Sequence, residues 1–92
     1  MATYFLNGTY GADAMKGISR KRTADVTKMI EDTGGKIISI YLLLGETDLV
    51  IIADFPGLKE ALKGSVSISK MTGISFTTSP AITAEEFDDF MA

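Results

Sequence analysis

The chain contains no cysteine, no histidine and no tryptophan. Without cysteine there is no disulfide, and without cysteine or histidine the common structural zinc sites have no ligands. The same absences remove the thiolate nucleophile, the Ser-His-Asp triad and any side chain with an ordinary pKa near neutrality. A haem held by His or Cys is excluded as well. No phosphate loop of the GxxxxGK[ST] type occurs, and the acidic residues lack the spacing of a calcium loop. No cofactor and no metal site are therefore expected. The five methionines are scattered along the chain, and the internal ones read as core filler rather than ligands.

Basic charge is also scarce: nine Lys and Arg stand against twelve Asp and Glu, a formal net charge of −3. That balance argues against a general nucleic-acid surface. Long apolar runs are missing. The longest extends from Ile37 to Leu44 and is interrupted by Ser39, far short of the roughly 20 residues of a membrane-spanning helix. The opening Met1-Ala2-Thr3-Tyr4 lacks the charged region of a secretory signal. These features lead to the expectation of a cytoplasmic protein with neither membrane nor nucleic acid as a partner. With 92 residues, one domain spanning 1–92 is expected. A domain of this length buries only about 60–65% of its unfolded surface, so good packing or self-association must supply its stability.

What is present reads as alternating strands and helices. Residues 3–9 are rich in aromatic and β-branched types and predict a strand. A helical pattern runs over 12–33, with Val26, Met29, Ile30 and Thr33 on one face and Ser19 or Thr23 as N-cap. Gly34-Gly35 ends it. Lys36 to Leu44 and Leu49 to Phe55 predict two strands, and the short turn Gly45-Glu46-Thr47-Asp48 makes them an antiparallel hairpin. A second helix is expected over Leu58–Thr72, with Leu58, Leu62, Ser65 and Ser69 on one face. A strand over Ile74–Thr78 follows. Thr83-Ala84-Glu85-Glu86 has the spacing of a capping box and predicts a terminal helix from 84 to about 91. The order β-α-β-β-α-β with a closing helix predicts an α+β, ferredoxin-like fold: a four-stranded antiparallel sheet with two helices on one face.

In that plan the second face of the sheet meets water and should read polar, yet both parities of the second and third strands carry large apolar groups. One parity of the second strand groups Ile38, Ile40, Leu42 and Leu44, the expected dimer interface. Each such side chain left in water forgoes roughly 1.5–3 kcal/mol, and several together rival the roughly 5–15 kcal/mol that hold a domain. A homodimer or higher homo-oligomer, packed sheet to sheet, is expected. The alternative is a terminal helix folded back over the open face.

The segments Thr9-Tyr10-Gly11, Gly34-Gly35-Lys36, Leu44-Gly45-Glu46-Thr47-Asp48-Leu49-Val50 and Ile82-Thr83-Ala84-Glu85-Glu86-Phe87 together resemble the GYD domain family, small bacterial and archaeal proteins of uncharacterised function. The resemblance covers nearly the whole chain. It implies a dimeric α/β barrel, in which two ferredoxin-like subunits face their sheets. Gly45 and Asp48 match the family's Gly-x-Tyr-Asp signature, while Thr47 stands where the signature has Tyr, so no phenol is available there.

Four residues stand out as candidate ligand contacts: Asn7, Tyr10, Tyr41 and Asp48. Asn7 or Tyr41 is placed to point between sheet and helices, although a buried Tyr41 with one hydrogen bond is the simpler account. Asp48 is a carboxylate at the mouth of a barrel or, more simply, a turn residue bonded to a nearby backbone N–H. Lys16, Arg20, Lys21, Arg22 and Lys28 put five of the nine basic residues within thirteen positions, read as a solvated helix face or an anion-binding patch. With no catalytic constellation, the favoured function is a non-catalytic dimeric module binding a small molecule or a protein partner. The alternative is a cofactor-independent oxygenase or isomerase for a small hydrophobic substrate, its chemistry resting on Asp48, Tyr41, Tyr10 or Asn7.

Overall fold

The computed structural model describes all 92 residues. Strand β1 (Ala2–Tyr10) leads into a short helix α1 (Ala12–Lys16) and then α2 (Arg20–Asp32). The helical stretch expected over 12–33 is thus two helices. The chain breaks at Gly17, and the Ser19 hydroxyl starts α2 afresh by accepting from the Arg22 N–H at 3.0 Å. Gly34, at φ +89°, takes the left-handed turn after α2 that a Cβ would penalise. Next come β2 (Lys36–Leu42), β3 (Leu49–Phe55), α3 (Leu58–Thr72), β4 (Ile74–Ala81) and α4 (Ala84–Met91). The sheet order is β2-β3-β1-β4 with every neighbouring pair antiparallel. This is the ferredoxin-like plan read from the sequence. No helix is long and apolar enough to cross a membrane.

The core lies between the sheet and α2 and α3. Tyr4 and Leu6 of β1, alternate residues Leu49, Ile51, Ala53 and Phe55 of β3, and Val26 and Ile30 of α2 are all buried in it. Tyr4 meets Phe55 edge to face at 5.8 Å.

Helix α3 presents a different face from the one its leucines predict. It buries Ala61, Gly64, Ser65, Ile68 and Thr72 and leaves Leu58, Leu62 and Val66 as an exposed stripe. The Phe55 ring is the cause. A Cβ on Gly64 would stand 3.0 Å from Phe55 Cε1, so only small residues let the helix settle over that ring. The buried Ser65 hydroxyl is satisfied, donating to Ala61 O at 2.9 Å and lying 2.7 Å from Thr78 Oγ1.

A bulge in β2 changes which side chains share a face. Ile37 opposes Ala53 and Ser39 opposes Ile52, so Ile38 is the extra residue. Parity reverses beyond it. Ile40 and Leu42 stand opposite Ile51 and Leu49 and face the helices, while Ser39 and Tyr41 turn to the open face. The grouping of Ile38, Ile40, Leu42 and Leu44 on one face is therefore corrected: Ile38 sits in the bulge, and Leu44 lies fully exposed in the loop after β2.

The open face is mixed as a result. Phe5, Val50 and Ile52 form its centre with Tyr41 beside them. Asn7, Ser39, Thr77, Ser79 and the hydrogen-bonded pair Thr3–Asp54 surround that centre. Helix α4 does not cover it: α4 buries none of its residues. The Thr83 hydroxyl caps α4 by accepting from the Glu86 N–H at 3.1 Å. The Glu86 carboxylate returns to that same hydroxyl at 3.3 Å rather than to the backbone.

Candidate functional site

A cleft of about 210 Å³ opens between the start of α2 and the end of the sheet. Its floor is aliphatic because the β2 bulge has turned Ile40 and Leu42 inward, beside Leu49 and Ile51 of β3. Ile74 at the start of β4 and Val26 of α2 complete the apolar lining. Tyr10, Arg22 and Thr23 form the rim. Two larger depressions have other settings. One lies along the outer side of α2 from Ile18 to Thr27, and the other between Phe5 and Ile52 on the open face and the root of α4.

The rim is held by short-range geometry. Tyr10 is the last residue of β1, and its N–H donates to Asp48 Oδ2 at 2.9 Å. Asp48 N–H donates in turn to Gly8 O at 2.9 Å, and Leu43 N–H to Asp48 O at 2.8 Å. One residue thus ties β1 to the base of the β2–β3 loop. That loop turns at Gly45, whose φ of +134° excludes most side chains. Over the Tyr10 ring lies the Arg22 guanidinium, its Cζ 5.4 Å from the ring centroid. Arg22 Nη1 also donates to Ala14 O. The lining includes no carboxylate. Chemically, the site can enclose an apolar group and offer it a phenol, a hydroxyl and a cation.

The four candidate ligand residues divide between the two sides of the sheet. Tyr10 lines the cleft, and Asp48 lies behind it as the residue that positions Tyr10. Asn7 and Tyr41 are on the open face, in one row across the sheet with Val50 and Thr77. They do not point between sheet and helices, because odd residues of β1 face away from the helices and the bulge places Tyr41 on that same side. Tyr41 is 56% exposed rather than buried among aliphatics. Arg22 was legible only as one of five clustered cations. What singles it out is contact with Tyr10, which the break at Gly17 makes possible and which no spacing in the sequence announces.

Sheet, helices and cleft define a ferredoxin-like α+β protein with a small, largely apolar recess under its first long helix. No curated protein matches the chain. The GYD domain family matches residues 4–91, nearly the whole length, and the chain belongs to that family.

Proposed function

We propose that this GYD protein is a non-catalytic binding module of the cytoplasm that works as a homodimer, sheet facing sheet, and holds a small, mostly apolar molecule in the cleft under α2. The cleft carries the reading: hydrophobic side chains make up seven of its nine lining residues, and its rim is fixed by hydrogen bonds rather than left to loops. The nearest carboxylate, Asp48, is occupied with the Tyr10 N–H, which favours a positioning role over proton transfer.

The homodimer is supported by the distribution of apolar surface. Twelve hydrophobic residues are buried, yet Phe5 and Tyr41 of the open face are among many large ones that stay exposed. Phe5, Val50 and Ile52 are contiguous on a face that no helix of the same chain covers. Two-fold pairing of that face buries the patch against itself.

Native mass spectrometry of the purified protein tests both parts. The expected result is a mass twice the 9.9 kDa of one chain, with an adduct that denaturation releases and that Ile40→Trp, which fills the cleft, abolishes. A 9.9 kDa species without adduct refutes the proposal.

A further inference from the structure

The cleft read above as a binding site has a cation at its mouth with donors to spare, and the following assignment rests on that reading. Helix α2 makes two ion pairs, Lys21–Asp25 and Lys28–Asp32, and Arg22 belongs to neither. A guanidinium carries five N–H donors. Arg22 gives one to Ala14 O, so an anion can still be met by a two-pronged contact.

Its position is set from four sides. The Arg22 N–H is capped by the Ser19 hydroxyl, Nη1 is bound to Ala14 O, and the guanidinium rests on the Tyr10 ring. Gly17 makes the space: a Cβ there would stand 2.8 Å from Nη1. Stapling α1 to α2 needs only the Ala14 bond. The side chain that carries the remaining donors also lines the recess, whose walls are aliphatic and whose other rim groups are neutral. The Tyr10 hydroxyl makes no hydrogen bond within the chain, so it too is free to donate.

We infer that the cleft takes a small organic acid. Its carboxylate lies on Arg22 with the Tyr10 hydroxyl as a second donor, and its hydrocarbon body lies among Ile40, Leu49, Ile51 and Ile74. Size narrows the class. The cleft's 210 Å³ equals about seven water molecules' share of liquid volume, and an apolar cavity of about 150 Å³ admits benzene. A single ring or a short alkyl chain fills this space.

The test is an NMR titration of the full chain with benzoate and hexanoate against their uncharged amides, benzamide and hexanamide. The acids should bind about tenfold or more tightly than the amides, the effect of hydrogen bonds to a charged group, with shifts centred on Tyr10 and Ile74. Arg22→Met should erase the preference and leave amide binding intact, while Arg22→Lys retains part of it. Arg20→Met removes a neighbouring cation outside the cleft and should change nothing. Should Arg22→Met fail to fold, Tyr10→Phe takes its place and should weaken the acids severalfold without affecting the amides.

Equal binding of acids and amides would overturn the organic-acid assignment and leave the cleft standing as an apolar site. Equal sensitivity to Arg20→Met and Arg22→Met would reduce the preference to diffuse attraction and overturn it as well. No shift with any of the four compounds would overturn both the assignment and the binding cleft beneath it.

Discussion

Replacing Phe5 by threonine tests whether the open face is an interface. Phe5 is at the centre of that face, opposite Ile52 and Ser79, and is 37% exposed in the single chain. An aromatic side chain offers about 200 Å², so about 75 Å² is left for a partner to cover. At about 25 cal/mol per Å² that is about 2 kcal/mol per subunit. Two-fold symmetry counts it twice, and about 4 kcal/mol corresponds to roughly a thousandfold in the dimer Kd. Threonine is β-branched, as strands favour, and matches the hydroxyls around it. Analytical ultracentrifugation over a concentration series reads the Kd directly, and urea unfolding of the same samples reports any loss within the subunit. Leu62→Thr, on the exposed stripe of α3, is the control and should leave the Kd unchanged. A Phe5→Thr variant that dimerises as tightly as the wild type would refute the reasoning, as would a wild type that sediments as one chain at every concentration.

Asp48→Ala should cost about 1–2 kcal/mol in chemical denaturation, the value of a half-buried hydrogen bond to a charged group, while Asp48→Asn keeps an acceptor and costs less. Gly64→Val drives branched atoms into the Phe55 ring and should destabilise by about 1–3 kcal/mol, measured as a drop in Tm. Thr83→Ala removes the α4 cap, worth about 0.5–2 kcal/mol locally. Because α4 buries nothing, faster hydrogen exchange should appear in residues 84–91 while the global unfolding midpoint stays in place.

Element order was legible because it rests on coarse signals: Gly34-Gly35, Pro56-Gly57 and Gly73 punctuate the chain, and Thr83 with Glu86 marks the last helix. Faces were less legible. Period-two reading assumes an unbroken ladder, and the one extra residue at Ile38 reverses every assignment after it. Ranking α3 by its leucines missed that Phe55 already fills the space beneath the helix, so glycine and alanine go inward. The cleft was half visible. Tyr10 and Asp48 drew notice as polar groups at strand ends, but Arg22 is distinguished from Arg20 and Lys21 only by which way a helix starting at Ser19 points it. That direction follows from where the chain breaks at Gly17, a tertiary fact that composition and spacing do not contain.

The two outer strands share a consequence. On one flank, the misaligned residue at Ile38 spoils the regular spacing of outward amides and carbonyls. On the other, Pro80, paired with Tyr4, has no N–H at all. Each flank therefore offers an added strand an interrupted ladder, which disfavours lateral growth toward fibres at both margins.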